Sequence, residues 1–495
     1  MDQDVLLVTC NTISFVPFFI SEGIYVTTDG GIHWRGSDTC SGYPIGFHGG
    51  DPGIVIDQNG TFILTRLGRT PFVGLYAHYS TDQGQTWSSQ TVVSTDDLER
   101  AALATDVVKG SNYAGRTYAA WVTLSQPFPL MFSYTDNGGQ SWYQARQVNN
   151  PVNRCAGGDI AVGPAGEVYA CWAGVAPASP FKEIFIGVAS SVDGGANWNV
   201  TENAFAVNGI TGLLPDKGNI RVNGLPNMAV DTTEGPRKGW IYIVTGQKDM
   251  APAGSDPDII LYRSTNEGLT WSQGIRVNQD PLNNGKNQYF PNIHIDKFGA
   301  VDILFYDDRT TTKDSAGVFL ARSIDGGAQW QEYEICDHHF KPAPIGGLGQ
   351  GYQGDVIDLT STDTRIWAVW MDNSSGIYQV WTIPVDYSSL NTDFDIPGLT
   401  NMRLSQNFPN PFTGRTNIRY HITAPSQVSL KVFNTLGYEI KELVHEWKTT
   451  GSYLVTFDLS GSGQENPSGN AIFYYKFQAD DYIEIGKMIM IKGPE

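Results

Sequence analysis

One eight-residue pattern, Ser/Thr-x-Asp-x-Gly-x-x-Trp, recurs six times in the first 330 residues of this 495-residue chain. The first copy is Thr27-Thr28-Asp29-Gly30-Gly31-Ile32-His33-Trp34; the others span 80–87, 135–142, 191–198, 264–271 and 323–330. Asn137 and Asn266 replace the aspartate in two copies. The tryptophans follow one another at 53, 55, 56, 73 and 59 residues. A motif at such a quasi-regular period specifies a repeat architecture.

The chemistry of the motif is that of a tight turn. A hydroxyl and an Asp or Asn two residues on can tie down nearby backbone N–H groups. Glycine at the fifth position permits positive φ, and the tryptophan offers a large ring to pack. Strand-like runs such as Ile259-Ile260-Leu261-Tyr262 and Val318-Phe319-Leu320-Ala321 precede two of the boxes. Each box therefore reads as a hairpin turn, with Asp29, Asp82, Asn137, Asp193, Asn266 and Asp325 in a structural role. A turn repeated around a ring cannot be one active site.

These boxes resemble the Asp boxes of the sialidase superfamily of β-propellers. The resemblance implies a propeller. It does not fix a reaction, because Asp boxes also occur in proteins without sialidase activity.

Between boxes a four-strand unit recurs. In the second unit the strands are expected at 53–57, 61–65, 75–79 and 87–94. Four short strands per repeat with Gly/Asn/Asp turns favour a propeller. The termini contribute strands at 5–10, 23–27 and from 34, and at 355–359, 365–370 and 377–383. The total is 26, which reads as seven blades with six as the alternative. The domains are then a propeller over 1–387, an aperiodic linker over 388–402, and a small immunoglobulin-like β-sandwich over 403–495. The fold class is all-β.

The tail carries Leu404-Ser405-Gln406-Asn407-Phe408-Pro409-Asn410-Pro411-Phe412, Asn434-Thr435-Leu436-Gly437, Pro467-Ser468-Gly469 and Lys487-Met488. In that order they resemble the C-terminal sorting domain of the type IX secretion system. The resemblance implies export to the outer cell surface or the medium, with the secretion machinery as partner of 403–495. The stretch 4–20 lacks a basic start and is broken by Asn11, Ser14 and Pro17, so it does not read as a signal peptide.

Acidic residues outnumber basic ones 51 to 32, for a formal charge of -19. That balance excludes nucleic acid and anionic membrane as partners, and no run of 18 apolar residues marks a transmembrane segment. The five cysteines form no zinc pattern; Cys10–Cys40 and Cys155–Cys171 are the pairs considered as disulfides.

Boxes join third and fourth strands, so ligands are expected on the opposite face, at second-to-third loops and inter-blade links. There the sequence places Asp51, Arg66, Arg69, Tyr289, Asp307, Asp308, Arg309 and Asp355, the expected ligand-binding set. His48, Arg100, Arg154, Asp159, Tyr352 and Asp372 share that face. No cofactor is required; calcium is the one candidate, on oxygens of Asp307, Asp308 or Asp372. His338-His339 beside Asp337 reads as a solvated loop.

Sialidases resemble one another in an arginine triad, a Glu-activated tyrosine and an aspartic acid. Here the family's early Arg-Ile-Pro is missing, Arg69-Thr70-Pro71 being the nearest segment. Arg263 and Arg322 sit just before boxes and read as structural. Tyr289 or Tyr306 could serve as nucleophile, but no glutamate is placed beside either. The function expected is a secreted or surface propeller binding glycan or glycoprotein. The alternatives are an exo-sialidase-like hydrolase and an adhesive surface scaffold.

Overall fold

The computed structural model describes residues 2–15, 18–390, 403–404, 407, 410–422, 424–449, 451–458, 470–480 and 482–491. Parts of the expected linker and sorting motif, including Ser405, Gln406, Phe408, Pro409 and 467–469, lie outside the described residues. The chain is all-β, with helix only as short 3-10 turns.

Up to residue 386 the strands form seven successive antiparallel sheets, plus one small ribbon. Sheet one is Leu6–Phe15, Phe18–Thr27 and Arg35–Ser37. Sheet two is His48–Ile56, Phe62–Gly68, Gly74–Ser80 and Thr91–Ser94. Sheets three to six repeat the four-strand order, with inner strands Ala102–Thr105, Cys155–Val162, Asn227–Val230 and Gln288–Ile295. Sheet seven is Asp358–Ser361, Arg365–Asp372 and Gln379–Asp386.

The apolar cores lie between neighbouring sheets. One cluster joins Tyr118, Val122 and Phe132 of sheet three to Ile160, Ala170 and Trp172 of sheet four. Others link sheets four to five and five to six in the same way. The second strands, such as Thr117–Val122 and Val168–Val175, are buried along their whole length. That is why they read as continuous apolar runs rather than alternating ones.

All six boxes share one hydrogen-bond scheme. In the second, Ser80 Oγ donates to Asp82 Oδ1 (2.8 Å), and Oγ accepts from Gly84 N (2.8 Å). Asp82 Oδ1 also accepts from Thr86 N at 2.9 Å. Both middle residues are left-handed: Gln83 at φ 59° and Gly84 at 79°. The asparagine variants keep the same acceptor, because Asn137 Oδ1 takes the Ser141 N–H at 3.0 Å. Their amide Nδ2 then donates to the seventh residue's hydroxyl, at 2.8 Å for Ser141 and 2.9 Å for Thr270. The box tryptophans are half-buried rather than fully buried. Five of them, Trp87, Trp142, Trp198, Trp271 and Trp330, pack against inter-sheet cores.

The long fourth interval has a simple cause. Between sheets four and five an extra ribbon forms, Gly212–Leu214 paired with Ile220–Val222. Buried Glu183 holds its base, accepting from Thr211 Oγ1 (2.5 Å) and Gly224 N (2.8 Å).

All five cysteines are free, so neither considered disulfide forms. Cys155 pairs with Gly174 and Cys171 with Asp159, separate positions on one ladder.

Contacts divide the chain into two compact units. The second takes residues 383–495 together with 335–338 and 364–367. Its described strands make a three-stranded and a four-stranded sheet around one core that includes Phe412, Tyr420, Leu430, Tyr475 and Phe477. Among the described residues no helix is long and apolar enough to cross a membrane.

Candidate functional site

Strand register defines one position three residues before the inner-strand residue that faces each box: Gly53, Ala102, Asp159, Asn227 and Asn292 in sheets two to six. The polar members tie each sheet to the next. Asp159 Oδ2 accepts the Met228 N–H (2.7 Å), Asn227 Nδ2 donates to Pro291 O (2.8 Å), and Asn292 Nδ2 donates to Ile357 O (2.7 Å). Acid or amide follows the partner: an aspartate meets an N–H, and an asparagine meets a carbonyl.

Two residues earlier along the chain lie Asp51, Arg100, Gly157, Leu225 and Phe290, with Arg100 and Leu225 just before their inner strands. Three of them sit in the left-handed region: Asp51 at φ 50°, Gly157 at 53° and Phe290 at 53°. At all three the ladder slips its register. Such bulges re-aim side chains and gather next to functional sites. Arg100, Leu225 and Phe290 line a small open cleft with Asn223, Asn227, Pro291, Asp355 and Val356. It lies at the strand ends away from the boxes.

Carboxyls crowd this mouth. Burial pushes the carboxyls of Asp51, Glu99, Asp159 and Asp355 above their usual range, and Asp358 up to about 6. The Arg100 charge opposes the rise at each of them. Asp358 is nevertheless exposed to solvent. Among the described residues Arg100 has no carboxylate within salt-bridge reach and no hydrogen-bond partner. Its charge acts on five carboxyls and it is paired with none of them.

Of the sequence-expected set, Asp51 and Asp355 come together: the Asp51 charge helps raise the Asp355 carboxyl. Asn11 fixes Asp51 (3.1 and 2.7 Å), and Asn223 Nδ2 donates to Asp355 (3.2 Å). The 307–309 run is committed elsewhere. Arg309 makes a bidentate pair with Glu332 (2.6 and 2.7 Å) on the outermost strand, Gln331–Glu334, and a third bond to Asp307 (2.7 Å). Burial raises the Asp307 carboxyl to about 6 against the pull of Arg309. Buried Asp308 pairs with Lys217 of the extra ribbon and accepts from Asn287 N at 2.9 Å.

Arg66 is fully buried, donating to His78 Nε2 (3.1 Å) and Gln90 Oε1 (2.5 Å), with Glu22 at 3.9 Å. Arg69 is half-exposed, and its backbone N–H donates to Phe47 O at 2.6 Å. Tyr289 is buried and donates to Gln353 (3.3 Å); Tyr306 donates to Met371 O (2.7 Å). Burial pushes both phenols upward, away from an activated nucleophile. Arg322 is closed by Asp296 and Asp302, each at 2.6 Å, and Arg263 donates to the Gly326 carbonyl of the next box.

Asp372 accepts from Trp370 Nε1 (2.8 Å) and Ser374 Oγ (2.7 Å). Among the described residues no three His, Cys, Asp or Glu side chains are grouped to hold a metal ion. His338 pairs with Asp337 (2.7 Å) and His339 with Glu334 (2.6 Å) on exposed loops.

The BNR/Asp-box repeat family matches residues 78–89, the second box. No curated protein sequence matches the chain. Three solved structures illustrate what the fold is similar to. An ulvan lyase, a polysaccharide lyase, is 10% identical over 77% of this chain and 90% of its own, with a TM-score of 0.49. An intramolecular trans-sialidase from Ruminococcus gnavus is 12% identical over 66% of this chain and 94% of its own, with a TM-score of 0.41. A protein of unknown function from Dyadobacter fermentans is 14% identical over 83% and 95%, with a TM-score of 0.36.

Proposed function

We propose that this is a secreted or surface-held β-propeller that binds a glycan or glycoprotein at the channel mouth opposite its boxes. The observation that carries the reading is Arg100, an uncommitted guanidinium in a cleft that also presents Asn223, Asn227 and Asp355 and the apolar Phe290. Convergent amide, acid and guanidinium groups beside an aromatic ring suit a polyhydroxyl ligand. Seven blades are favoured by the seven sheets and by the bond from Asp363 N to Gln3 Oε1 (2.7 Å), which brings the first and last sheets' neighbourhoods together. The two-sheet second unit supports an immunoglobulin-like sandwich. Export by the type IX route rests on the resemblance of its sequence to sorting domains.

The test is a glycan array probed with the full chain and with Arg100→Ala. Wild type should bind a defined subset and the variant should lose it while melting at the same temperature. A variant that binds like wild type sinks the assignment of the mouth.

A second reading, glycoside cleavage, draws on Asp358: a carboxyl titrating near 6 is suited to general acid work. Release of reducing ends from a bound polysaccharide, abolished by Asp358→Asn, would establish it; intact product after prolonged incubation would reject it.

A further inference from the structure

The boxes are not the only repeat in the first 390 residues. The dipeptide Pro-Phe occurs there four times, at 17–18, 71–72, 127–128 and 180–181. By its place in the sequence each copy joins the second strand of a sheet to the third, in sheets one to four, at the end away from the boxes. In sheets two to four the turn is the same. The N–H groups of Phe72, Phe128 and Phe181 donate to the carbonyls three residues back, Arg69, Ser125 and Ala178, at 2.7, 2.7 and 2.8 Å. Proline suits such a turn, having a fixed φ and no N–H to satisfy. Sheet five keeps the turn without the ring: after Pro252, Ala253 N donates to Met250 O at 2.9 Å. The turn therefore does not need the phenylalanine.

The rings can be met from outside. Phe181 is 41% exposed, and Phe18 of sheet one 52%. Phe72 and Phe128 are half-buried. Phe72 stacks on half-buried Tyr43 with ring centres 3.8 Å apart, a two-ring platform. Phe128 and Phe181 flank the Arg154 guanidinium at 5.0 and 5.1 Å, so neighbouring loops bring their rings together. Both hold positive φ, 61° and 62°, where glycine is at ease and a side chain is not.

Apolar cores join sheet one to two, two to three and three to four. The four loops are therefore neighbours, and their rings form an arc. The arc lies outside the mouth, one to two strand spacings of about 4.8 Å from the inner strands. A ligand that touches both is longer than one sugar ring. Single rings on successive loops suit a chain whose every unit offers its own apolar C–H face. The formal charge of -19 disfavours a polyanion.

Resting on the glycan-site reading above, we propose that the ligand is an extended, uncharged polysaccharide, with successive sugars stacked on the arc of Phe18, Phe72, Phe128 and Phe181 and one unit held in the mouth.

The experiment is titration calorimetry of the full chain with three uncharged polymers, laminarin, galactomannan and dextran, with their disaccharides and hexasaccharides, and with polygalacturonate. At least one uncharged polymer should bind, and its hexasaccharide should bind about tenfold or more tightly than its disaccharide. Phe181→Ala and Phe18→Ala remove exposed rings, and both variants should melt as wild type does. Each should weaken polymer binding about threefold to tenfold and leave the disaccharide unchanged, while Phe181→Tyr should keep wild-type affinity. Equal affinity for disaccharide and hexasaccharide, or unchanged polymer binding in both folded alanine variants, overturns the arc and leaves the mouth standing. Polymer binding that survives Arg100→Ala but falls in the phenylalanine variants supports the arc and sinks the mouth. Polygalacturonate bound as tightly as the best uncharged polymer overturns the preference for uncharged chains. Binding to none of the polymers overturns the proposal, and with no glycan bound on the array either, both readings fall.

Discussion

Lys217 Nζ and Asp308 form a fully buried ion pair across 91 residues of sequence, and the lysine also donates to the Lys313 carbonyl. This pair pins the extra ribbon between sheets four and five to the end of the strand Val301–Asp307. Removing one partner leaves a charge without its counter-ion, a loss of about 3–5 kcal/mol. Asp308→Ala is therefore expected to lower unfolding stability by that order in a urea melt. Lys217→Met with Asp308→Leu should lie much nearer to wild type. Equal stability of Asp308→Ala and wild type would contradict the pairing.

Arg309 is expected to behave as a structural residue. Its guanidinium is spent on Glu332 and Asp307, so Arg309→Ala should lower the melting temperature and leave glycan affinity unchanged at temperatures where the variant is folded. Arg100→Ala should do the reverse. Selective loss of binding in Arg309→Ala would return the 307–309 run to the ligand site.

The contrast between these two arginines shows what the sequence makes legible. Asp307-Asp308-Arg309 looks like a functional cluster because three charges adjoin in sequence. Its partners Glu332, Lys217 and Asn287 are tertiary neighbours that no local pattern announces. Arg100 looks unremarkable in sequence. The strand topology puts it on the ligand face, but its place beside Asp51, Gly157, Leu225 and Phe290 and its lack of a partner show only when inner strands are aligned by their distance from the box. The boxes and the four-strand unit were legible because the Ser/Thr, Asp/Asn and Gly each answer a local backbone demand. The ribbon was not, because its two paired strands have three residues each and no periodicity. The strand Glu439–Lys448 is hard to read for a different reason: its exposed, charged residues hide the alternation.

The box tryptophans are half-buried, so their truncation should cost less than a core deletion. Trp87→Ala or Trp198→Ala is expected to lose about 2–3 kcal/mol, below the span of about 3–5 for a fully buried ring. Calorimetric melts of the two variants would check it. A loss of 5 kcal/mol or more would mean the rings carry more of the inter-sheet packing than their exposure indicates.

The pH dependence of stability has two opposing sources. Hydrogen bonds from the seventh box residue hold the Asp29, Asp82 and Asp193 carboxyls down at about 2. Their contribution is present above the unfolded value of about 4 and is lost as pH falls toward 2. Asp358 is raised to about 6 by burial. A raised carboxyl works in the other sense: the unfolded chain ionises it more readily, so stability declines as pH rises from about 4 to about 6 and stays lower above. Asp358→Asn removes that penalty and keeps the acceptor for Leu359 N, now held at 2.8 Å. The variant should melt about 1–2 °C above wild type at pH 7.5 and gain less than half as much at pH 4.5. The gain is kept small because Asp358 retains solvent contact. A variant that gains equally at both values, or that loses at pH 7.5, would show that Asp358 is not the strained carboxyl of the channel.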